Sequence, residues 1–413
     1  MNEKILVIVN ASYPFDNGES FMENEIPFIK QFDKVIICPC SVVDFNQKRK
    51  INNSLVTVYP LSNPGRLIKL FKYIKSIFYK ITIDEILLLK KNKKLNMYTL
   101  KELLSFVSVG QTSYKKIKKY LLKNGINKTD NIIFYSYWMS FHAYTGLLLK
   151  NSFLNSKAVT RCHGFDLYEY RNKNSYIPLR KLILNNQNIV FSISSDGKNY
   201  LETEYPNIQK NIEISRLGTL DRGIRKAAEM RNPFKIVSCS NVVSVKRVDK
   251  IVDALSKIKN IKIEWTHFGN GILFENVKKY AEKCLDENIK FNLNGALSNQ
   301  ELQQQYAKTD FDVFINVSES EGIPVSIMEA ISFGIPVIAT DVGGVNEIVY
   351  NDQNGILLDK DFSDNQLIEA INKFAFMPND EYLKYRDNAR NIWEKNYDAE
   401  KNYTEFLNEI SRL

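Results

Sequence analysis

Short apolar runs alternate along this chain with longer segments in which apolar residues recur at helical spacing. This alternation is typical of α/β domains, in which helices connect parallel strands. The first run, Lys4–Val9, is apolar at consecutive positions, as expected for a strand that is buried on both faces. The predicted strands are Lys4–Val9, Lys34–Cys38, Asn131–Ser136, Lys157–Arg161, Asn188–Ser192, Lys235–Ser240, Ile261–Phe268, Lys290–Leu293, Val313–Val317, Val337–Ala339 and Gly355–Leu357.

The predicted strands fall into two series, separated by the polar, turn-rich piece Leu217–Gly223. A chain of 413 residues is longer than one ordinary hydrophobic core supports. We therefore predict two doubly wound domains, residues 1–216 and 217–389, with a helical segment from Asp380 to the end. Two such domains that face each other form a cleft, and ligands bind at the carboxyl ends of their strands.

One stretch in the second series predicts a strand, a polar loop, a short helix and a further buried strand. The apolar strand gives way to Ser318 and Glu319, Pro324 suits the first turn of a helix, and Gly334 with Pro336 ends it. A helix N-terminus has unpaired N–H groups and a partial positive charge, which favour an anion such as diphosphate.

Two carboxylates of this stretch lie on or beside the predicted helix: Glu321 at its start and Glu329 in its body. They would repel a phosphate, so we expect them to contact hydroxyl groups. A sugar nucleotide supplies phosphates for the helix end and sugar hydroxyls for the carboxylates. Hydrogen bonds to a charged acceptor contribute roughly 1.5–3 kcal/mol each, which is enough to fix a ligand.

The pattern E-G-I-P-x-x-x-M-E-A followed by S-F-G-I-P-V-I-A-T-D-V-G-G resembles the retaining glycosyltransferases of family 4, bacterial surface-polysaccharide type. The resemblance implies the GT-B fold, with two facing Rossmann-like domains and a C-terminal helix, about 390–413, that packs back on the first domain. It implies that Glu321 acts on the donor sugar and Glu329 holds the ribose. The donor-binding residues expected beside them are Gly322, Ile323, Pro324, Val325 and Ser326.

Residues Thr160–Asp166 resemble the His-Gly-x-Asp turn of that family, which implies a catalytic His163 near the donor sugar, with Asp166 beside it. The local sequence alone also fits a histidine that packs in a turn. After the first strand of the second domain, Lys246 matches the family's lysine for the donor diphosphate. Asn241 stands where an arginine is expected, and the adjacent Arg247 is a candidate substitute, or else Lys246 and Arg247 are solvated.

Three further glycine and alanine positions resemble donor-binding loops. Gly18 follows the first strand, where its backbone can approach phosphate or acceptor. Gly295 and Ala296 lie where relatives offer backbone groups to the nucleotide base. Because backbone groups leave no side-chain signature, the base remains open. We expect no metal or other cofactor: Asp310-Phe311-Asp312 has metal-binding spacing but precedes a buried strand.

Composition limits the remaining function classes. The chain is 44% hydrophobic and 25% charged, as in globular proteins, and its net charge of +9 permits an anionic partner. Nucleic acid is disfavoured, because no aromatic–basic recognition pattern accompanies the basic residues. The basic amphipathic run Arg66–Lys80 fits a core-facing helix, or an interface helix that contacts anionic lipid. The five scattered cysteines indicate core residues in a reducing cytosol.

The sequence thus predicts a metal-independent, retaining glycosyltransferase of cytoplasmic location, open to peripheral contact with the inner face of the plasma membrane. We expect a nucleotide diphosphate donor, with a UDP-sugar favoured, and a glycan or polyprenyl-diphosphate-linked acceptor in cell-surface polysaccharide or capsule synthesis. Two alternatives stay open. One is a catalytically silent GT-B scaffold that binds glycan or lipid, and the other is a GT-B sugar-nucleotide epimerase.

Overall fold

A computed structural model of the chain describes residues 3–16, 18, 19, 21–62, 66–208, 211–224 and 231–413, with side chains from residue 71 onward in the helix that begins at Arg66. The chain divides into two compact units. Unit 1 comprises Met1–Arg216 and Tyr403–Leu413, and unit 2 comprises Leu217–Asn402.

Unit 1 is built on a parallel sheet that has seven strands within the described residues, in the order β3-β2-β1-β4-β5-β6-β7. Its strands are β1 Lys4–Asn10, β2 Lys34–Pro39, β3 Val56–Val58, β4 Asn131–Ser136, β5 Ser156–Cys162, β6 Ile189–Ser192 and β7 Ile212–Ile214. Its helices are α1 Phe21–Glu25, α2 Arg66–Ser76, α3 Lys80–Lys91, α4 Met97–Lys123, α5 Phe141–Lys150, α6 Arg180–Asn186 and α7 Ser195–Glu204.

Unit 2 repeats the plan with a parallel sheet of six strands in the described part of the chain, in the order β10-β9-β8-β11-β12-β13. Its strands are β8 Phe234–Cys239, β9 Ile263–Phe268, β10 Ile289–Leu293, β11 Val313–Asn316, β12 Val337–Thr340 and β13 Gly355–Leu358. Its helices are α8 Val248–Leu255, α9 Phe274–Cys284, α10 Asn299–Lys308, α11 Val325–Ser332, α12 Asp364–Phe376 and α13 Asn379–Asn396, and α14 Ala399–Ser411 follows.

Both sheets have the strand order of a Rossmann fold, so the predicted doubly wound α/β class is confirmed. All eleven predicted strands are present, each within two residues of its predicted ends. The sequence analysis missed β3 and β7, which form the two edges of the unit 1 sheet and are three residues long each. Such short strands carry too few residues for a periodic pattern to be recognised.

The last residues of the chain complete the core of unit 1. The Phe406 ring lies 5.1 Å from the ring of Tyr135 on β4 and 4.9 Å from that of Phe191 on β6. Lys4 on β1 donates to the Ser411 carbonyl over 2.7 Å. The segment that belongs to unit 1 begins at Tyr403, whereas α13 belongs to unit 2.

The predicted linker is bound to the junction of α13 and α14 in unit 2. Trp393 donates its indole N–H to Thr219 over 2.7 Å, and Arg390 forms an ion pair with Asp221 at 2.8 Å. The Asn402 amide donates to the Leu217 carbonyl over 2.9 Å. The two places where the chain passes between the units are therefore held side by side. None of the helices in the described ranges has the length and apolar character to cross a bilayer.

Candidate active site

Polar residues lie together in unit 2 at the carboxyl ends of β8 and β11. These two strands are neighbours in the sheet, and the loops that follow them run in opposite directions. This point, at which the strand order reverses, is where open α/β sheets bind ligands. A small cavity lies there and is lined by Ser238, Cys239, Ser240, Lys246, Val248, Ile251, Ile315, Asn316, Val317 and Ser318. The cavity therefore lies between the Lys246 loop and the strand that leads to Glu321.

The structure brings Lys246 and Glu321 together. The Lys246 ammonium lies 2.5 Å from a carboxylate oxygen of Glu321, and the Asn316 amide donates to the same oxygen over 3.3 Å. The Glu319 N–H donates to the Val245 carbonyl over 2.8 Å, which fastens the two loops to each other. The Glu321 side chain is largely buried, so this ion pair is more strongly coupled than a surface pair.

Arg247 has a different environment from Lys246. Its guanidinium donates to the carbonyls of Val317 over 2.7 Å and Ser318 over 3.2 Å. It also donates to the Lys360 carbonyl over 2.8 Å and lies over the Phe362 ring. Three of its N–H groups therefore hold backbone, and the side chain braces the loop that follows β11. Asn241, the residue in place of the expected arginine, is exposed on the loop after β8.

The start of α11 offers backbone N–H groups. Pro324 is the N-cap and the helix begins at Val325, so the N–H groups of Val325 and Ser326 have no acceptor inside the helix. A backbone hydrogen bond holds the loop that precedes α11, because the Gly344 N–H donates to the Gly322 carbonyl over 2.8 Å. A Cβ on Gly344 would lie 2.7 Å from that carbonyl oxygen, so a larger residue would push the loop out of place.

Glu329, in the body of α11, is buried, and its carboxylate accepts a hydrogen bond from the Asn299 amide at the start of α10. Burial raises the pKa of Glu329 to about 7, and hydrogen bonds from Asn299 and Gln303 partly oppose that rise. A carboxylate that is poorly hydrated and held by two amides is a preorganised acceptor for hydroxyl groups.

Gly295 and Ala296 follow β10. Gly295 has a φ of 67°, a backbone conformation that favours glycine, and its carbonyl accepts the Gly269 N–H over 2.7 Å. Ala296 is exposed. The positions predicted to bind the base thus lie in the loop between β10 and α10.

In unit 1, the loop after β1 is organised by Glu19. Its carboxylate accepts the backbone N–H groups of Ala11 over 2.8 Å and of Ser12 and Tyr13 over 2.7 Å. The Trp138 indole N–H donates to it over 2.6 Å. Asn17 and Ser20 lie outside the described residues. Gly18 is exposed, and its carbonyl accepts a hydrogen bond from Arg49.

His163 stands at the end of β5 in an aromatic setting. Its ring centroid lies 4.3 Å from that of Trp138 and 5.1 Å from that of Tyr137. The Asp166 carboxylate accepts the His163 N–H over 2.8 Å and the Met139 N–H over 2.8 Å, which fixes the turn. Both ring nitrogens of His163 are buried and have no hydrogen-bond partner within the described residues.

The other two histidines are engaged in the interior. His142 is within 2.7 Å of the Ser140 hydroxyl, and His267 within 2.8 Å of the Ser238 hydroxyl. Burial lowers the pKa of each to about 4, so both are neutral at physiological pH.

The sequence analysis gave no role to two side chains in these sites, Glu19 and Asn299. Trp138, two residues after the predicted strand Asn131–Ser136, is expected from the sequence to line the acceptor side. Glu19 and Asn299 are ordinary polar residues of loops or helix starts, and their importance depends on partners distant in sequence. Pairing information, rather than local pattern, would have been needed to find them.

Residues 222–392, within unit 2, match the family model of glycosyl transferases group 1. A segment is 28% identical over 156 residues to the O-antigen biosynthesis glycosyltransferase WbnH of Escherichia coli, covering 38% of this chain and 40% of that protein. The chain spans 39%, 64% and 40% of the lengths of three curated relatives that it matches.

Solved structures resemble the chain over its whole length. Sucrose-phosphate synthase from Thermosynechococcus elongatus superposes with a TM-score of 0.72 at 17% identity, covering 99% of this chain and 98% of that one. HepE from Anabaena, solved in complex with UDP and glucose, gives 0.65 at 15% identity, with full coverage of both chains. The chain therefore has the GT-B fold, and its residues 222–392 match the family model of glycosyl transferases group 1.

Proposed function

We propose that this protein is a retaining glycosyltransferase that moves a sugar from a nucleotide diphosphate donor, a UDP-sugar, to a glycan or polyprenyl-diphosphate-linked acceptor. One observation carries the proposal. At the reversal of strand order in unit 2, the Lys246–Glu321 pair and the start of α11 lie on elements fastened to each other. Cation, helix N-terminus and carboxylates are the groups that a sugar nucleotide requires.

Glu329 binds the ribose hydroxyls in this proposal. Its burial and its amide partners keep the carboxyl in one orientation, so little ordering is needed when the donor binds. The HepE complex with UDP and glucose supports a nucleotide donor for the fold, although its identity to this chain is only 15%. Gly295 and Ala296 supply backbone groups to the base.

Lys246 and the N–H groups of Val325 and Ser326 stabilise the departing diphosphate. Lys246 exchanges its partner, because its ammonium can turn from Glu321 to a phosphate oxygen while Glu321 accepts a hydroxyl of the donor sugar. Arg247 acts through the loop it braces, since its guanidinium is engaged by carbonyl groups. These positive groups perform the work that a bound metal does elsewhere, so we expect activity to persist in EDTA.

The reaction breaks the bond between the sugar's anomeric carbon and the diphosphate oxygen. A bond to the acceptor oxygen forms on the same face, and the acceptor proton passes to a phosphate oxygen. Catalysis is then mainly positioning and charge stabilisation, with no dedicated protein base. His163, whose ring nitrogens lack hydrogen-bond partners within the described residues, remains the predicted catalytic residue of unit 1. Asp166 positions its turn, and its carboxylate lies 3.7 Å from Nδ1 of the His163 ring.

The acceptor class rests on the relative WbnH, whose name assigns it to O-antigen biosynthesis. We extend from it a role in cell-surface polysaccharide synthesis. Two experiments would identify the donor and the acceptor. A thermal-shift panel of nucleotide sugars finds the donor, and transfer of its labelled sugar to lipid-linked or soluble glycans finds the acceptor. NMR of the product then gives the anomeric configuration, and the proposal requires that of the donor.

The critical variant is Glu329→Gln, with Glu369→Gln on the exposed face of α12 as its control. We expect the first to weaken donor binding by at least about tenfold, the loss of one charged hydrogen bond, and the second to leave it unchanged. Equal donor affinity in both variants would remove Glu329 from the site. Donor turnover without any acceptor would favour the epimerase, and donor binding without transfer would favour the silent scaffold.

A further inference from the structure

Helix α2 of unit 1 packs on the protein through its polar side. Ser76 is fully buried, and its hydroxyl donates to the Leu104 carbonyl of α4 over 3.2 Å. The Tyr73 hydroxyl, on the same side of the helix, reaches the Lys101 carbonyl of α4. From Phe71 onward, where the side chains are described, the face that the sequence pattern would bury is turned outward. For these residues the interpretation of the amphipathic run as a core-facing helix is therefore wrong.

The outward face presents large apolar side chains to solvent. Phe71 is 69% exposed, Ile74 49% and Phe78 76%. Their spacing, i, i+3 and i+7, puts them on one stripe along α2 and the turn that follows it. We call Phe71, Ile74 and Phe78 the outer stripe. Three exposed large side chains on one stripe are more than a folded chain needs to leave uncovered, and such patches mark interaction surfaces.

The charge around the outer stripe selects its partner. Residues 66–80 contain five basic residues and no acidic one: Arg66, Lys69, Lys72, Lys75 and Lys80. Lys75 and Lys80 are exposed, and Lys72 is half-buried. A second copy of this helix would set these lysines against like charges. A plane of anionic headgroups over an apolar interior complements both features.

We propose that the outer stripe docks unit 1 onto an anionic lipid bilayer, with Phe71, Ile74 and Phe78 entering the headgroup region and the lysines contacting lipid phosphates. The contact is peripheral and reversible, because one short amphipathic helix buries too little apolar area for permanent insertion. This inference goes beyond the proposed function and does not depend on it, since the proposed donor-binding residues of α10 and α11 belong to unit 2.

The test is flotation of the full chain with vesicles of phosphatidylcholine alone or mixed with phosphatidylglycerol. Wild type is expected to float only with the anionic vesicles and to be released as salt rises. Phe71→Ser/Phe78→Ser should reduce binding by at least about tenfold. Its control, Ile272→Ser/Phe376→Ser, removes two apolar side chains that are 88% and 63% exposed in unit 2, and should float like wild type.

The charge is tested in the same assay. Lys72→Glu/Lys75→Glu should weaken vesicle binding by at least about fivefold for each lysine replaced. Lys278→Glu/Lys279→Glu on α9 should leave vesicle binding unchanged. Equal flotation of all variants, or wild-type flotation with neutral vesicles, would overturn the proposal. So would a concentration-dependent dimer, seen by light scattering, that the Phe71→Ser/Phe78→Ser change dissociates. Nucleotide-sugar binding is measured separately, without vesicles. A chain that binds the nucleotide sugar but no vesicles contradicts the lipid-docking proposal and leaves the proposed donor site intact.

Discussion

At the scale of single residues, burial decides what the acidic groups can do. Glu321 lies beside the Lys246 ammonium. Among the described residues the side-chain partners of Glu329 are two amides, and the carboxyl group is almost completely buried. The Lys246 ammonium compensates the negative charge of Glu321, whereas the amides around Glu329 carry no compensating charge. Glu329 is therefore the acidic group at this site whose ionisation opposes folding.

The pH dependence of stability should show this cost. The folded-state pKa of Glu329 is raised to about 7, above its ordinary value of 4.5, so the folded chain binds the proton more tightly than the unfolded chain. Stability from this group is present at low pH and is lost as pH rises from about 4.5 to about 7. The loss is on the order of 3 kcal/mol.

Glu329→Gln removes this titration, so we expect its free energy of unfolding to improve relative to wild type as pH rises from 5 to 8. Urea unfolding at several pH values measures the difference in free energy of unfolding between the variant and wild type. Other buried acids, such as Asp312, titrate in both proteins, so their contributions cancel in this difference. A constant difference between the two proteins across that range would contradict the prediction. The same change should weaken donor binding, a combination expected of a residue kept for function at the expense of stability.

Glu19 shows the opposite balance, because its charge is fully satisfied. Three backbone N–H groups, the Asn10 amide and the Trp138 indole N–H all donate to it. In Glu19→Gln an NH2 group replaces one carboxylate oxygen, so at least one of these N–H donors loses its acceptor. We expect a loss of about 2–4 kcal/mol, from weakened charged hydrogen bonds and one unpaired donor.

Chemical denaturation of Glu19→Gln is compared with that of Glu23→Gln in the same region. Glu23 is partly exposed and pairs with Arg49 at 2.6 Å, an arrangement that contributes less than about 1 kcal/mol. If both variants lost the same stability, the central role of Glu19 in the loop after β1 would be refuted.

At the scale of elements, the sequence predicted the main strands well, because buried parallel strands are short, continuous apolar runs that polar, turn-forming residues separate from the helices. The orientation of α2 could not be predicted. Its hydrophobic periodicity fits a core-facing helix and an interface helix equally. The burial of Ser76 against Leu104 and the exposure of Phe71 and Phe78 distinguish the two orientations. Likewise, the Lys246–Glu321 pair joins residues from different loops, which no local pattern reveals.

The linker offers a prediction about how elements are joined. Gly218 packs so tightly against the start of α14 that an added Cβ would lie 2.5 Å from the Ala399 Cα. Backbone atoms on both sides cannot yield easily, so Gly218→Ala should destabilise the chain by about 1–3 kcal/mol. Gly18→Ala is the control, since its Cβ would meet only the Ser12 hydroxyl at 3.3 Å. Equal melting temperatures of the two variants would contradict the close packing.

At the scale of the whole molecule, the chain leaves unit 1 after Arg216 and returns at Tyr403. The returning residues are not an appendage, because Tyr403, Phe406, Leu407 and Ile410 are all buried. They cover Arg161, whose guanidinium lies 4.1 Å from the Phe406 ring and forms a buried ion pair with Glu25 at 2.7 Å. A fold assembled from both ends of the chain cannot complete unit 1 before its last residues are present.

Leu407→Ala tests this dependence. Removing a fully buried leucine should destabilise the chain by about 2–5 kcal/mol, whereas Leu383→Ala, on a side chain of α13 that is 40% exposed, should have less than about 1 kcal/mol of effect. Limited proteolysis followed by mass spectrometry locates the damage. Because Leu407 belongs to unit 1, the first new cleavage sites should lie before Arg216, even though the substitution is almost two hundred residues later in the chain. New sites confined to unit 2 would mean that the C-terminal segment stabilises the domain it leaves rather than the one it joins.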